Sequence, residues 1–309
     1  MISISTAWNV ARHANAKNMV KEITSMGFKT MELNFTITKK MLIDIDKLVK
    51  EGKIKVVSLH NFCPIPDNLD IEQASPDYYS LSSTDETERK FAVKYTKNTI
   101  DSAALLGTSA VVVHAGYIDT KERIRSLAGL YEMGKKGTDE YNNYIKLMRV
   151  ERDLNKQKHL DCLLKSLEEV NDHAEKKQVK IGIENRFYFR EIPSLDEIGI
   201  ILDRFPDSNI YYWHDVGHAQ VSENLGLVSH IDFLNRYNKR LIGIHLHNVK
   251  GANDHRAILD GDFDFSILKP FIKKGILLVI ESHFPATKKD MMQGRDYLEN
   301  LFAKEVSND

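Results

Sequence analysis

Two patterns of apolar and polar positions alternate along the chain. Short runs rich in β-branched residues are followed by longer segments in which apolar residues recur at helical spacing, and this cycle occurs eight times. The short runs predict strands at 2–8, 28–35, 54–62, 109–116, 180–187, 210–219, 241–249 and 276–284. The longer segments predict helices near 14–26, 38–51, 86–106, 157–177, 194–204, 230–240, 265–274 and 287–303. Apolar strands separated by helices indicate a parallel sheet whose outer face the helices cover.

Eight strand–helix units with no break in composition favour a closed (β/α)₈ TIM barrel, and we expect one domain over 1–309. An open doubly wound sheet is disfavoured because no GxGxxG follows the first strand. Two segments interrupt the rhythm: 63–85 holds three prolines, and 117–155 is long and highly charged. Each follows a strand, the third or the fourth, so we expect long loops on the catalytic face of the barrel. A plain surface insertion explains 117–155 equally well.

Composition and charge narrow the class of protein. Hydrophobic residues make up 42% of the chain, charged residues 28%, and the net charge is −1 at pH 7. Such a chain has no overall field to attract nucleic acid or an anionic membrane, which argues against both as partners. No apolar run approaches the roughly 18 residues of a membrane span. With two isolated cysteines and no export signal at the start of the chain, we expect a cytoplasmic protein.

Carboxylates or imidazoles lie at the carboxyl end of every predicted strand from the second to the eighth. They are Glu32, His60, His114, Glu184, Asp215 with His218, His245 with His247, and Glu281. In a barrel these strand ends meet on one face, where active sites lie. A lone histidine or acid of this kind is often structural, but several buried carboxylates together cost several kcal/mol each unless they are paired or bind a metal. Oxygen and nitrogen ligands without cysteine predict a divalent ion, Mn²⁺, Mg²⁺, Co²⁺ or Zn²⁺, rather than a structural zinc site.

The order of these residues resembles the xylose-isomerase-like barrel superfamily. The shared pattern is Glu at strand five, Asp-x-x-His at strand six, His at strand seven and Glu at strand eight. The superfamily includes sugar isomerases, ketose 3-epimerases, inosose dehydratase and hydroxypyruvate isomerase relatives, and metal-dependent apurinic endonucleases. The resemblance implies one divalent ion held by Glu184, Asp215, His245 and Glu281, with His218 touching substrate or a further metal. Barrels of this superfamily often pair, so a homodimer is possible.

The resemblance also implies a reaction on a small carbohydrate, with Glu184 and Glu281 as acid/base groups on opposite faces of the sugar. A divalent ion polarises a carbonyl and the adjacent hydroxyl, which acidifies the proton on the carbon that they flank. A carboxylate takes that proton and leaves a cis-enediolate. Return of the proton to the neighbouring carbon isomerises the sugar, and return to the opposite face epimerises it. We therefore expect a sugar isomerase or 3-epimerase, with an inosose dehydratase-type lyase as an alternative on the same site.

The segment after strand seven, NDHRAILDGDFDF at 253–265, resembles the superfamily's Asp-x-His-x-x-x-Gly-x-Gly segment. Asn253 occupies the position of the aspartate in that segment, His255 matches its histidine, and Leu259 replaces its first glycine. An arginine near this point binds substrate hydroxyls in epimerase-like members, so His255 and Arg256 are predicted to bind substrate. A surface arginine beside a neighbouring aspartate is an equally good interpretation of Arg256.

Other predicted substrate contacts lie at further strand ends. Glu32 is predicted to orient a sugar hydroxyl or to pair with Arg186. Trp8, at the end of the first predicted strand, and Trp213 are predicted to form an apolar wall for a sugar face. Since inward and outward positions alternate along a strand, Trp213 could equally pack between the barrel and its helices.

The endonuclease branch of the superfamily holds three metal ions and is the main alternative. It needs histidines at strands three and four, which His60 and His114 supply, and an Asp-x-His after strand seven, where 253–255 reads Asn-Asp-His. Asn253 carries no charge, and a register slid by one residue places Arg256 at the histidine position, where it cannot ligate a metal. A third ion is therefore not expected, which favours the sugar branch and makes His60 and His114 substrate-binding groups. A non-catalytic barrel that keeps the pocket for binding is the remaining hypothesis.

Overall fold

The computed structural model describes residues 1–307 and confirms the predicted TIM barrel. Its strands are β1 (Ser3–Ser5), β2 (Thr30–Leu33), β3 (Lys55–His60), β4 (Ala110–Val113), β5 (Gly116–Tyr117), β6 (Lys180–Glu184), β7 (Glu191–Ile192), β8 (Ile210–Asp215), β9 (Leu241–Leu246), β10 (Asn248–Lys250), β11 (Asn253–Arg256) and β12 (Leu277–Ile280). Eight parallel strands close the barrel in the order β1-β2-β3-β4-β6-β8-β9-β12. The remaining strands pair antiparallel, β5 with β7 and β10 with β11, at the mouth formed by the carboxyl ends of the barrel strands.

Helices cover the outside of the barrel. They are α1 (Ala16–Ser25), α2 (Lys39–Lys50), α3 (Glu86–Leu105), α4 (Ile124–Glu132), α5 (Asp139–Lys177), α6 (Leu195–Arg204), α7 (Val216–Asn224), α8 (His230–Tyr237) and α9 (Lys288–Ser307), and a 3₁₀ helix spans Phe265–Phe271. Ser194 and Glu197 form the predicted capping box at the start of α6, which satisfies backbone N–H groups that the helix itself leaves free. Within the described residues, no helix combines the length and apolarity needed to cross a membrane.

The segment 117–155 is mostly helical, and the expectation of a long loop there is wrong. It contains α4 and the first part of α5, whose 39 residues extend for about 58 Å at roughly 1.5 Å per residue. Apolar residues of this part of α5 such as Leu147 and Leu154 are exposed, but Tyr141 and Met148 pack with Ile124 and Leu127 of α4 in an apolar cluster separate from the main core. The other segment, 63–85, is a loop with one short 3₁₀ turn at Ile71–Gln73, as predicted.

Both tryptophans are packing residues, and the predicted sugar wall is not formed. Trp213 is fully buried inside the barrel in a cluster with Ala110, Val112, Ile242 and Val279. A Cβ at Gly243 would lie only 2.2 Å from the Trp213 ring, so the indole fits because its neighbour in β9 is glycine.

Trp8 is buried too, and its Nε1 donates a hydrogen bond to the Ala286 carbonyl at 2.8 Å. This bond ties the turn after β1 to the segment that precedes α9. Neither indole lines the cavity at the mouth of the barrel.

Candidate metal centre and active site

Four strand ends deliver the central group of side chains. Glu184 ends β6, Asp215 ends β8, His245 lies near the end of β9, and Glu281 follows β12. Each offers a ligand atom within 4.8 Å of the other three, and all four residues are buried. His245 Nδ1 lies 2.7 Å from Glu184 Oε1, 3.0 Å from Glu281 Oε2 and 3.8 Å from Asp215 Oδ2. The structure therefore brings together the four residues that sequence predicts as ligands of one ion.

The electrostatics of this group reflect an excess of carboxylates. Burial, reinforced by the charges of Glu32, Glu184 and Asp215, raises the pKa of Glu281 from 4.5 to about 8. Burial opposes ionisation of Glu184 as well, but His245 and neighbouring imidazoles hold its pKa well below the usual value. The ion-free group thus retains protons that a divalent cation would replace.

Glu32 fixes the orientation of His245 and does not reach the cavity. Its side chain is completely buried, and His245 Nε2 donates to both of its oxygens at 3.1 Å. Ser58 Oγ donates to the same carboxylate at 2.7 Å. Because Nε2 donates to Glu32, Nδ1 faces the central group, where it donates to Glu184 and where a cation would replace its proton, as in metal-binding histidines. The predicted pairing of Glu32 with Arg186 is wrong, since Arg186 donates to Glu184 at 2.9 Å and to Glu191 at 3.1 Å.

A second group adjoins the first and shares Glu184. It consists of His60, His114 and Glu184, with ligand atoms within 4.8 Å of one another. His60 Nδ1 donates to the Asn61 carbonyl at 3.1 Å, and His114 Nδ1 donates to Asp77 at 2.8 Å. Their Nε2 atoms lie 3.8 and 2.9 Å from Glu184 Oε2. Asp77 was missed by sequence reasoning because it lies in the proline-containing loop, where no periodicity indicates direction.

A third group consists of His218, Asp254 and His255, again within 4.8 Å. His218 Nε2 lies 3.6 Å from Asp254 Oδ2, and His255 Nε2 lies 3.8 Å from the same oxygen. The Nδ1 atoms of both histidines donate to backbone carbonyls at 3.0 Å, those of Asn185 and Glu281. In all three groups, a carbonyl or carboxylate fixes the far nitrogen of each histidine and so aims the other nitrogen at a carboxylate.

The third group corrects the argument that this chain lacks ligands for a third ion. The expectation rested on the Asp-x-His spacing of the superfamily, which places either the uncharged Asn253 or Arg256 at a ligand position. His255 has φ = +51°, a left-handed conformation that brings both side chains toward His218. Such a conformation costs a non-glycine residue about 1–3 kcal/mol and is concentrated at functional sites.

Arg256 lies outside this arrangement. Its guanidinium pairs with Asp260, its side chain is about a third exposed, and it lines a neighbouring groove. The predicted substrate contact of Arg256 therefore has no support in the geometry, and the surface interpretation holds, with Asp260 rather than Asp254 as the partner.

A cavity of about 740 Å³ opens above the three groups. Side chains at its floor include His60, His114, Glu184, His218, His255 and Glu281. His283 also lines it, with its ring stacked on that of His255 at 3.9 Å between centroids. Sequence reasoning overlooked His283, although its place two residues after Glu281 on the last strand end was an available signal.

Comparisons with known proteins agree with the barrel. A family model described as xylose isomerase-like TIM barrel matches residues 20–301. Protein MJ1311 of Methanocaldococcus jannaschii, itself uncharacterised, is 24% identical over 225 residues, 71% of this chain and 66% of that protein.

Two solved structures resemble nearly the whole chain. A D-tagatose 3-epimerase-like protein has 19% identity and a TM-score of 0.66, over 98% of this chain and 97% of that one. An L-ribulose 3-epimerase has 15% identity and a TM-score of 0.68, over 98% and 95%. Because the family model matches most of this chain, the chain belongs to the xylose isomerase-like TIM barrel family.

Proposed function

We propose that the protein is a metal-dependent isomerase or epimerase that acts on a small carbohydrate. The observation that carries the proposal is the placement of Glu184 and Glu281, which both line the cavity and both belong to the central group with Asp215 and His245. The similar structures named as sugar 3-epimerases support the same class of substrate.

The donor set fits a divalent cation. Three carboxylates and one imidazole suit Mn²⁺, Mg²⁺, Co²⁺ or Zn²⁺, and Glu32 holds the imidazole in the tautomer that ligation needs. Glu184, Asp215, His245 and Glu281 would hold the ion. When bound, it supplies the Lewis acidity that polarises a carbonyl and an adjacent hydroxyl.

The two glutamates would divide the proton transfers. Glu184, whose pKa is held low by the surrounding imidazoles, accepts the carbon-bound proton on one face of the sugar. Glu281, which also lines the cavity, would return a proton from the other face. Arg186 Nη1 donates to Glu184 Oε2 at 2.9 Å and so limits the rotation of that carboxylate.

The test is proton exchange in D₂O. Metal-loaded protein is mixed with a panel of ketoses, aldoses and inososes, and NMR follows deuterium entering at carbon. Glu184→Gln and Glu281→Gln should each lower exchange by about 10²–10⁴-fold, as removal of a general acid or base does. Full activity in both variants would show that the acid/base assignment is wrong, and loss of water from an inosose would indicate the lyase chemistry instead.

A second candidate, a metal-dependent phosphodiesterase acting on abasic DNA, is favoured by one specific observation. The second and third groups adjoin the central one and Glu184 belongs to two of them, an arrangement suited to several ions acting on one phosphate. Cleavage of an abasic-site duplex by protein loaded with Zn²⁺ or Mn²⁺ would support it. Metal content discriminates, because an enzyme that fills all three groups should hold three ions per chain, whereas a sugar enzyme that uses the central group should hold one.

A further inference from the structure

The cavity has an inner and an outer half of different chemistry. The inner half is the floor of imidazoles and carboxylates at the strand ends. The outer half is bounded by α4 and by Phe187 and Tyr188, with Phe35 also lining the cavity. A volume of about 740 Å³ lies within the roughly 300–1,000 Å³ that holds drug-sized ligands. A single sugar ring, with about a dozen non-hydrogen atoms, would leave much of that space empty.

One face of α4 is directed at this outer half. Arg125, Ala128, Gly129 and Glu132 follow helical spacing and all line the cavity, while Leu127 turns into the apolar cluster beneath. An added Cβ at Gly129 would meet nothing within 4 Å, so no packing against the protein requires glycine there. Glycine is the least favourable residue in a helix interior apart from proline. Gly129 therefore leaves open space on the side of α4 that lines the cavity.

The two charged residues on this face lack charged partners of their own. Among the described residues, no carboxylate lies within 4.0 Å of the Arg125 guanidinium, which donates to the Tyr188 hydroxyl at 3.1 Å. The Glu132 carboxylate makes no ion pair or hydrogen bond there either. Tyr188 is itself held, since its backbone N–H donates to Glu191 at 2.8 Å. Glu191 also pairs with Arg186, which donates to Glu184. Tyr188 in the outer half is therefore connected to Glu184 in the inner half through Glu191 and Arg186.

We infer that the substrate is a carbohydrate with a second sugar ring or a group of similar size, bound in the outer half of the cavity. This inference rests on the proposed function and narrows its substrate class. The Arg125 guanidinium and the Glu132 carboxylate offer donors and acceptors for hydroxyl groups, and the parts of the Phe187 and Tyr188 rings that line the cavity offer apolar surface to a sugar ring. Contacts in the outer half position the inner ring over Glu184 and Glu281, so remote binding energy serves the reaction.

Binding and turnover of paired ketoses test the inference. D-fructose and D-tagatose represent single rings, whereas lactulose, maltulose and isomaltulose are ketoses that carry a second ring. We expect at least one disaccharide to bind the metal-loaded protein about tenfold more tightly than either monosaccharide in calorimetry, and to show at least that advantage in kcat/KM. If no disaccharide binds better than the monosaccharides, the inference is wrong, whether or not any sugar turns over. Absence of exchange on every sugar, with disaccharide binding intact, would instead count against the proposed reaction.

Gly129→Leu locates the effect. The leucine fills open space in the outer half, so binding of the preferred disaccharide should weaken about tenfold while monosaccharide kinetics stay within about twofold. Ser126→Leu is the matched control, because Ser126 is exposed on the same helix and does not line the cavity. Equal losses on both classes of sugar in Gly129→Leu, or an equal loss in Ser126→Leu, would contradict the assignment of this wall. An unchanged melting temperature checks that both variants fold.

Discussion

Outside the barrel, Arg152 of α5 and Glu197 of α6 form a buried ion pair in which each charge has its complement. The two guanidinium nitrogens lie 2.7 Å from the two carboxylate oxygens, and Arg152 also donates to the carbonyls of Phe189 and Glu191 at 2.9 and 3.0 Å. At the mouth of the barrel, by contrast, Glu184, Asp215 and Glu281 crowd around one imidazole.

The difference between these two buried clusters separates a structural role from a functional one. The Arg152 pair is complete in itself and fixes the segment between β6 and β7 behind the site. At the mouth, the negative charges outnumber the positive ones. Without a cation, Glu281 keeps a proton there, because burial and its acidic neighbours raise its pKa to about 8. A divalent cation would balance these carboxylates, as we propose for this site.

Breaking the Arg152–Glu197 pair should have the largest effect on stability. Arg152→Met leaves the Glu197 carboxylate buried without its partner, and we expect a loss of about 3–5 kcal/mol in the free energy of unfolding. Chemical denaturation measures it. The double variant Arg152→Met with Glu197→Leu should recover most of the loss. If Arg152→Met costs less than about 1 kcal/mol, the pair does not have the structural role that distinguishes it from the carboxylates at the mouth.

Removing the ion from the mouth should have the next largest effect. At a free metal concentration 100 times the Kd, binding stabilises the folded state by about 2.7 kcal/mol, which chelation abolishes. Thermal unfolding with and without Mn²⁺ reports the difference. Asp215→Asn should lose this stabilisation, whereas the Arg152→Met, Glu197→Leu double variant should keep it. A metal-induced shift of equal size in Asp215→Asn would contradict the proposed ligand set.

Ion binding at the mouth should strengthen as the pH rises. The raised pKa of Glu281 stabilises the ion-free fold below the unfolded value near 4.5, and that contribution is lost as the pH rises toward 8. The cation needs the carboxylate, so it competes with the proton throughout this window. If one proton is displaced, affinity should increase about tenfold per pH unit, a change of about 1.4 kcal/mol, until the pH approaches 8. Calorimetry between pH 6 and 8 in two buffers would detect the released proton, and a pH-independent affinity would oppose the account.

The smallest expected effect concerns the left-handed residue of the third group. His255→Asn should change stability by less than about 1 kcal/mol, because asparagine tolerates φ = +51°. His255→Val should cost about 1–2 kcal/mol more, since a β-branched residue is strained in that conformation. Urea denaturation of the two variants provides the comparison. Equal stabilities would mean that the backbone at this position relaxes when the imidazole is removed.

The parts of the site that sequence could predict are those that regular structure positions. Parallel strands of a closed barrel must bring their carboxyl ends together, so the strand pattern alone places Glu184, Asp215, His245 and Glu281 on one face. The same logic reaches His60 and His114, which line the cavity as expected.

What sequence could not predict depends on irregular backbone or on long-range packing. Asp77 reaches His114 from a loop without periodicity. The adjacent Asp254 and His255, with a positive φ at His255, offer ligand atoms where an Asp-x-His spacing was expected. The start of α5 was missed because several of its apolar residues are exposed and others pack in a cluster with α4 that is separate from the main core. Glu32 looked like a substrate contact because strand-end position does not reveal which side of His245 a carboxylate occupies.

Elemental analysis of the purified protein tests the central claim most directly. After loading with Mn²⁺, Co²⁺ or Zn²⁺ and extensive dialysis, we predict at least one tightly bound divalent ion per chain in the wild type and its loss in Asp215→Asn. A count of three would favour the phosphodiesterase candidate over the sugar enzyme. A wild-type protein that retains no ion, or an Asp215→Asn variant that retains as much as wild type, would contradict the claim that Glu184, Asp215, His245 and Glu281 share a cation.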